Sequence, residues 1–269
     1  MPQHFSLPDG RRLFYEHRDD GPPGAPCVAF LNGLSQTTVA WGLQTRRLRG
    51  VRSTLVHDAG GQGRSDPAAP GHRPAGHAQD LLRLCDALGI AKLDLVGFSF
   101  GARIALRTAL AAPERVRRLI LVGCAHRDTA VRRWLVQGWL DALEAGGVDH
   151  VFQIVTPQIV GETWLARNED NRANMLRAFV QRNQSDGMRR LLMDTLLPGG
   201  DLVDELRTLR HPTLVIRGES DLVVPRKLNH ELIELLPDAR YAECADAGHT
   251  VPIEQPEWFS DRLEEFLIG

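Results

Sequence analysis

Three residues of the types that together activate a hydroxyl nucleophile stand far apart in this sequence: Ser99, Asp221 and His249. A serine hydroxyl attacks a carbonyl carbon at neutral pH only when a base removes its proton, and the pKa of histidine suits that role. A carboxylate beside the imidazole fixes its tautomer and stabilises the cation that forms. The three residues therefore predict acyl chemistry, with Ser99 as nucleophile, His249 as base and Asp221 as the orienting acid.

The immediate setting of Ser99 supports this prediction. Ser99 is the centre of Gly97-Phe98-Ser99-Phe100-Gly101, between a predicted buried strand at 93–96 and a predicted helix at about 102–112. A sharp strand-to-helix turn holds the serine hydroxyl clear of the backbone, and glycine on each side avoids steric collisions. A Gly-x-Ser-x-Gly string arises by chance in roughly one chain in ten of this length, so the setting carries the prediction.

The other two residues also follow predicted strands. Asp221 comes after the apolar run 213–216, and His249 comes after a predicted strand at 240–244. Taken singly, Asp221 could be a turn residue before a helix, and His249 could be a hydrogen-bonded loop histidine. Their joint occurrence with Ser99 at three strand ends, in the chain order Ser, Asp, His, favours the catalytic interpretation.

Attack on a carbonyl creates an oxyanion, which requires pre-placed N–H donors. The backbone amide of Phe100, at the start of the helix after Ser99, is one predicted donor. The backbone amide of Leu34, in the loop after the strand 27–31, is the other. The alternative for Asn32-Gly33 in this loop is an ordinary turn, which would serve the same geometry.

The elements that position these residues alternate along the chain. Apolar strand runs at 27–31, 54–56, 93–96 and 119–122 are separated by helical patterns, which predicts a parallel sheet covered on both faces. A hairpin is predicted at 3–18. Helices are predicted at about 36–49, 77–89 and 226–236, and from Pro256 onward.

Between 125 and 205 the alternation gives way to helical periodicity. We therefore predict a core domain formed by 1–124 and 206–269, and a helical insertion formed by 125–205, which is longer than an ordinary loop. The first helix of the insertion is expected to end at Gly146-Gly147. Its predicted common face consists of Val131, Trp134, Leu135, Gly138, Trp139, Ala142 and Leu143.

Such an insertion would roof the site and shape a pocket for an acyl group. The candidate pocket residues are Asn32, Trp134, Trp139 and Trp164. The alternative for the tryptophans is that they pack the insertion onto itself.

Composition excludes several classes of function. The chain has 269 residues and a formal charge of −2, which argues against a nucleic-acid or anionic-membrane surface. It lacks a run of 18 apolar residues and a recognisable signal peptide, and its four cysteines are scattered, so we expect a cytoplasmic location. No histidine pair shows metal-ligand spacing, and acyl transfer needs no metal or organic cofactor, so we expect neither.

The chain resembles the α/β-hydrolase superfamily over essentially its whole length. The matching segments are Asn32-Gly33, Asp58 to Ser65, Gly97 to Gly101, Gly218 to Pro225, and Gly248-His249 followed by Glu254 and Pro256. The resemblance implies the α/β-hydrolase fold, with a mostly parallel eight-stranded sheet, helices on both faces, a helical cap insertion and a Ser-Asp-His triad. Cap size and the glycine-rich segment are similar to those of enol-lactonases and generalist esterases.

The sequence departs from the family pattern at two positions. Asn32 stands where histidine is usual, and Gly60 stands where arginine is usual; both could change loop packing near the oxyanion hole. Ser99 also differs from the aspartate nucleophile of the superfamily's haloalkane dehalogenases and epoxide hydrolases. The chain is therefore expected to pass through an acyl-enzyme.

Three functions remain open from the sequence. The first is a serine hydrolase that cleaves a carboxylic ester, lactone or thioester through an acyl-enzyme intermediate. The second is an acyltransferase that passes the acyl group to an alcohol or thiol, to which the Asn32-Gly33 pair has a local similarity. The third is a non-catalytic ligand-binding protein of the same fold. The expected partner is a small-molecule acyl substrate, and the expected state is a monomer or homodimer.

Overall fold

A single sheet of eight strands forms the centre of the molecule. The computed structural model describes residues 2–197 and 201–269. The strands are β1 (Pro2–Ser6), β2 (Arg12–Arg18), β3 (Cys27–Leu31), β4 (Thr54–His57), β5 (Leu93–Phe98), β6 (Val116–Val122), β7 (Thr213–Gly218) and β8 (Ala239–Cys244). Their spatial order is β1-β2-β4-β3-β5-β6-β7-β8. Strands β3 to β8 pair in parallel and β1 and β2 pair antiparallel, which confirms the predicted sheet.

Helices cover both faces because successive strand residues point to opposite sides. Val28 and Phe30 of β3 belong to one apolar cluster, which includes Phe259 of the last helix. Ala29 and Leu31 belong to the cluster on the other face. Strands that are buried on both faces consist of continuous apolar residues, and for this reason the sequence predicts β3, β5 and β6.

The helices outside the insertion largely follow the prediction. They are α1 (Gly42–Arg47), α2 (Pro74–Ala87), α3 (Phe100–Ala111), α9 (Arg226–Leu235), α10 (Val251–Glu254) and α11 (Pro256–Ile268). The predicted helix at 36–49 is wrong in detail, since it is a 3₁₀ turn at Thr38–Trp41 followed by the short α1. Helix α2 begins at Pro74, three residues earlier than predicted, because proline suits the first turn of a helix.

In the described residues between β6 and β7, the chain forms five α-helices. They are α4 (Ala130–Ile159), α5 (Glu162–Asn168), α6 (Arg172–Arg182), α7 (Ser185–Leu196) and α8 (Val203–Leu206). Gly147 interrupts α4 with φ +75° and ψ −166°, at the predicted Gly146-Gly147 end. The predicted insertion boundaries at 124/125 and 205/206 stay predictions, and the second falls within α8. Of the predicted domains, residue 1 and residues 198–200 lie outside the described residues.

The predicted common face of α4 is wrong. Trp134 is 82% exposed and Val131 is 52% exposed, whereas Trp139 is 8% exposed. At about 100° per residue, positions 134 and 139 lie about 140° apart around a helix, so they cannot share a narrow face. The buried face of α4 includes Val136, Trp139 and Leu143, which pack with Met188 and Leu192 of α7.

Within residues 2–197 and 201–269, none of the helices combines the length and apolar character needed to cross a bilayer.

Candidate active site

The turn between β5 and α3 forces Ser99 into an unusual backbone conformation. Ser99 has φ +52° and ψ −110°, and its N–H donates to the carbonyl oxygen of Val122 at 2.8 Å. A Cβ at Gly97 would lie 2.5 Å from the Cα of Ala102, and a Cβ at Gly101 would lie 2.1 Å from the Leu31 oxygen. The two glycines therefore permit the strained turn that presents the serine side chain.

The structure brings the three residues of the predicted triad together. His249 Nε2 lies 2.9 Å from Ser99 Oγ, and His249 Nδ1 lies 2.8 Å from Asp221 Oδ2. His249 and Asp221 are buried, while Ser99 is partly exposed. An imidazole that donates its Nδ1 proton to a carboxylate has a free lone pair at Nε2, which can accept the hydroxyl proton of serine.

The carboxylate of Asp221 is itself held in place. Its Oδ1 accepts hydrogen bonds from the backbone N–H groups of Val223 and Val224 at 2.8 and 2.9 Å. These bonds leave Oδ2 directed at His249. Asp221 therefore occupies both the turn that the alternative interpretation expected and the position beside the histidine.

The loop that carries His249 is hydrogen-bonded to the chain between the end of α4 and the start of α5. The His249 N–H donates to the carbonyl oxygen of Ile159 at 2.8 Å. The buried carboxylate of Glu254 accepts from the N–H groups of Gly161 and Gly248 at 2.7 and 2.8 Å. It also accepts from the N–H and hydroxyl of Thr250 at 3.0 and 2.8 Å. The sequence does not predict this role of Glu254, because the residues near it in the chain do not identify its distant partner Gly161.

The predicted oxyanion donors both lie beside Ser99. Leu34, Ser99 and Phe100 line one small void next to the nucleophile. Within the described part of the chain, the amide N–H groups of Leu34 and Phe100 donate to no other protein group. Both are therefore available to an oxyanion on an acyl group attached to Ser99 Oγ.

A cavity of about 420 Å³ opens onto Ser99 and His249. Helices α4, α5, α6 and α7 supply half of its lining residues, including Trp139, Val155, Trp164, Phe179 and Leu192. Among the described lining residues other than His249, Arg182 alone carries a formal charge, and it is exposed. The cavity is therefore largely apolar.

Two of the four predicted pocket residues do not line this cavity. Trp139 and Trp164 do, but Trp134 projects into solvent from the opposite side of α4. Asn32 is buried at the start of residues 32–35, which we call the oxyanion loop because it carries the Leu34 amide. Its Nδ2 donates to the His57 oxygen at 3.1 Å, and its Oδ1 accepts from Trp41 Nε1 at 2.8 Å. Asn32 therefore supports the loop and does not form part of the pocket.

One group of metal-ligating side chains occurs among the described residues, at His72, His77 and Asp80. Asp80 already accepts from His72 at 2.9 Å, from Arg11 at 3.1 Å and from Arg83 at 3.3 Å. Two guanidinium groups on one carboxylate neutralise the charge that a metal ion would require. His72, Asp80 and the two arginines therefore form an ion-pair network, and the His77 ring packs edge-on against Phe100.

Comparisons with known proteins identify the family of the chain. A sequence model of the family described as "alpha/beta hydrolase fold" matches residues 28–256. A protein of Azorhizobium caulinodans named "Putative carbamate hydrolase RutD" is 29% identical over 261 residues, covering 94% of each chain. Its namesake from Caulobacter vibrioides is 27% identical over 263 residues, covering 96% of each chain.

Solved structures extend the comparison. An alpha/beta hydrolase enzyme from a Medee basin deep-sea metagenome library superposes with a TM-score of 0.91 at 24% identity, covering 98% of this chain and 96% of that one. The enol-lactonase from Burkholderia xenovorans LB400 gives a TM-score of 0.87 at 24% identity, with 99% and 100% covered. At these identities the likeness shows the fold. With the family match spanning most of the sequence, the chain belongs to the α/β-hydrolase fold family.

Proposed function

We propose that this protein is a serine hydrolase that cleaves a carboxylic ester, lactone or thioester through an acyl-enzyme. The observation that carries the proposal is the hydrogen-bonded series Ser99–His249–Asp221 at the floor of an apolar cavity. The relatives' name and the family membership support hydrolase activity. The residue roles and the bond that is cleaved are our inference.

Acylation begins when Ser99 Oγ attacks the carbonyl carbon and its proton passes to His249 Nε2. The carbonyl π electrons move to oxygen, and the amides of Leu34 and Phe100 donate to the resulting oxyanion. Asp221 stabilises the imidazolium. When the tetrahedral intermediate collapses, the bond to the leaving group breaks and the Nε2 proton goes to the departing oxygen or sulfur. The product is an ester of Ser99.

Deacylation repeats these steps with water. His249 Nε2 takes a proton from the water, whose oxygen attacks the acyl carbon, and the same two amides receive the oxyanion. The bond to Ser99 Oγ then breaks, and the imidazolium returns its proton to the serine. The carboxylic acid leaves, and the enzyme is restored. An alcohol or thiol in place of water would make the same chain an acyltransferase.

The cavity indicates the class of substrate. Apolar walls of this kind stabilise hydrocarbon or aryl groups by removing them from water, at about 25 cal/mol per Å² of buried apolar surface. The backbone amides and the serine then select the carbonyl. We therefore favour an uncharged ester or lactone of medium size.

A second candidate is a carbamate, which the name of the relatives favours. The same nucleophile can attack a carbamate carbonyl, since the tetrahedral intermediate also carries an oxyanion. Nitrogen donation makes that carbonyl less electrophilic, so a carbamylated Ser99 would hydrolyse more slowly than an acylated one. Comparing p-nitrophenyl butyrate with a p-nitrophenyl N-alkylcarbamate separates the two: we expect the ester to give the higher kcat/KM.

The proposal is tested with p-nitrophenyl butyrate, the wild-type protein and Ser99→Ala. We expect a burst of one p-nitrophenol per chain where deacylation limits turnover, and a loss of at least about 10³-fold in kcat for the variant. A fluorophosphonate should label wild-type protein and not Ser99→Ala. Adding methanol decides between water and another acceptor: transfer of most of the butyryl group at modest methanol concentration would favour an acyltransferase. Activity retained by Ser99→Ala, or no labelling of Ser99, would refute the proposed chemistry.

A further inference from the structure

We propose that Gln62 is a positioning residue, whose side-chain amide orients the Leu34 N–H toward the oxyanion. This inference rests on the proposed function. It goes beyond it because Gln62 touches neither the nucleophile nor the cavity. Gln62 lies in the loop after β4, is 2% exposed, and belongs to the glycine-rich segment 58–65.

Two backbone carbonyl groups of the oxyanion loop accept hydrogen bonds from the side chain of Gln62. Gln62 Nε2 donates to the Gly33 oxygen at 2.6 Å and to the Leu34 oxygen at 3.3 Å. On the preceding peptide group, the Gly33 N–H donates to Gln36 Oε1 at 3.1 Å. The two peptide groups on either side of Gly33 are thus each fixed by a glutamine side chain.

Peptide geometry converts this contact into an orientation of the Leu34 amide. In a planar trans peptide the C=O and the following N–H point in opposite directions. The Gly33 oxygen and the Leu34 N–H belong to one peptide group. The Gly33 oxygen accepts from Gln62 Nε2 at 2.6 Å and, more weakly, from the Gln36 N–H at 3.1 Å, so the Leu34 N–H of the same peptide group points away from both donors. Leu34 and Ser99 line a common void, which is where the oxyanion would form.

The orientation of the Gln62 amide is itself determined by its neighbours. Gln62 Oε1 accepts from the Ala59 N–H at 3.1 Å and from Asn32 Nδ2 at 3.4 Å. Asn32 cannot be reversed, because its Oδ1 accepts from the indole N–H of Trp41, which can only donate. The series Trp41, Asn32, Gln62 therefore leaves Gln62 Nε2 as the group that faces the two carbonyls.

A purely local role for Gln62 is less consistent with the contacts. The turn that carries it is closed by backbone bonds, with the Gln62 N–H on the Ala59 oxygen at 2.8 Å and the Ser65 N–H on the Gln62 oxygen at 2.9 Å. The side-chain donor is therefore not needed for the turn. It donates instead to the carbonyl oxygens of residues 33 and 34, about thirty positions earlier in the chain.

The test compares Gln62→Met, which keeps the volume and loses both the Nε2 donor and the Oε1 acceptor, with Gln62→His, whose ring offers one N–H donor and one nitrogen acceptor. Gln137→Met makes the same chemical change at an exposed position of α4 and is the matched control. Each protein is assayed with p-nitrophenyl butyrate and with an alkyl trifluoromethyl ketone. The ketone forms a hemiketal with a serine and places its oxyanion in the hole.

We expect Gln62→Met to lower kcat by 10- to 100-fold, with KM within threefold of the wild type, since removal of a whole oxyanion donor costs about 10²- to 10³-fold. Its inhibition constant for the ketone should rise by the same factor. Gln62→His should recover at least part of both losses. Gln62→Asn is one methylene too short to span Ala59 and Gly33, so it should show the same pattern and replaces Gln62→Met if that variant does not fold.

Two results would overturn the inference. One is a kcat of folded Gln62→Met or Gln62→Asn within threefold of Gln137→Met. The other is a loss of kcat without a matching loss of ketone affinity, which would indicate general loosening of the fold. Failure of the proposed function looks different, because wild-type protein would then bind the ketone no better than Ser99→Ala does.

Discussion

In the proposed mechanism, the reactivity of the Ser99 hydroxyl depends on which nitrogen of His249 carries the proton. The Asp221 carboxylate accepts from Nδ1 at 2.8 Å and so leaves Nε2 as a proton acceptor toward Ser99. Since Val223 and Val224 already donate to the other carboxylate oxygen, Asp221 has little freedom to turn. The geometry thus assigns one function to each carboxylate oxygen.

Asp221→Asn tests this assignment. The asparagine oxygen would keep the bonds from Val223 and Val224, so its NH₂ would face His249 and impose the tautomer with a proton on Nε2. We expect kcat for p-nitrophenyl butyrate to fall by about 10³- to 10⁴-fold with little loss of stability. Asp246→Asn, in the exposed stretch before His249, is the control. Activity of Asp221→Asn within tenfold of that control would exclude Asp221 as the orienting acid.

The proposed catalytic residues can be recognised in the sequence, whereas the residues that support them cannot. Ser99 is marked by its flanking glycines, and Asp221 and His249 are marked by their positions after strands. Glu254 and Gln62 carry no comparable mark, because their partners lie on other loops: Gly161 is 93 residues from Glu254, and Gly33 is 29 residues from Gln62. Long-range hydrogen bonds of this kind have no periodic signature.

At the scale of elements, the loop that carries His249 is joined to the segment between α4 and α5. Glu254 binds Gly161 on one side and Gly248 and Thr250 on the other, and His249 binds Ile159 through its own N–H. The loop of His249, which we propose as the general base, and the segment at Gly161 are therefore held by one buried carboxylate. We infer that the roof and the base move together.

Glu254→Gln tests this connection. A glutamine places an NH₂ group against N–H donors that the carboxylate now accepts from, and leaves at least one buried donor unsatisfied. We expect a loss of about 1 to 3 kcal/mol in the free energy of unfolding, together with a fall in kcat of about tenfold. Urea unfolding and ester kinetics measure both.

The control for Glu254→Gln is Glu257→Gln, which alters an exposed ion pair with Arg47. Exposed pairs contribute little, so stability should change by less than about 1 kcal/mol. If Glu254→Gln matched Glu257→Gln in stability and in kcat, the proposed connection between roof and base would be wrong.

The wall formed by α6 sets the room for the acyl group. Ala178 lines the cavity, and Ala173 lies on an exposed part of the same helix. Ala178→Phe should fill part of the cavity and shift the preferred p-nitrophenyl ester toward shorter acyl chains, with about tenfold lower kcat/KM for the octanoate than for the acetate relative to wild type. Ala173→Phe should leave the chain-length profile unchanged. A profile unaffected by Ala178→Phe would place the acyl group elsewhere.

Elements were predicted most accurately where burial is two-sided. Strands β3 and β5 show continuous apolar runs, so their positions follow from the sequence. The face of α4 was not predicted correctly, because apolar residues such as Val131 and Trp134 occur on its exposed side as well. When apolar residues occur on every side of a helix, their spacing does not indicate which side is buried.

At the scale of the whole molecule, buried histidines link stability to pH. His77 on α2 is buried beside Phe100, and burial lowers the pKa of His77 from 6.5 to about 3. Between these two values the unfolded chain binds the proton and the folded chain does not. The contribution of His77 to stability is therefore complete above about pH 6.5 and declines as pH falls toward 3.

His77→Leu should flatten this dependence. Removing the group removes about 2 kcal/mol from the difference in unfolding free energy between pH 7 and pH 5. Urea unfolding at the two pH values measures the difference, with His230→Leu, an exposed histidine on α9, as the control. An unchanged pH dependence in His77→Leu would mean that the imidazole binds its proton as readily in the folded protein as in the unfolded chain.

The central claim concerns one covalent bond, between the Ser99 oxygen and an acyl carbon. Its most direct test is acid quenching of wild-type protein during turnover of p-nitrophenyl butyrate, followed by peptide mass spectrometry. We predict a mass increase of one butyryl group on Ser99, absent from Ser99→Ala and lost as the substrate is exhausted. Continued turnover with Ser99 unmodified, or a butyryl group on another side chain, would contradict the account.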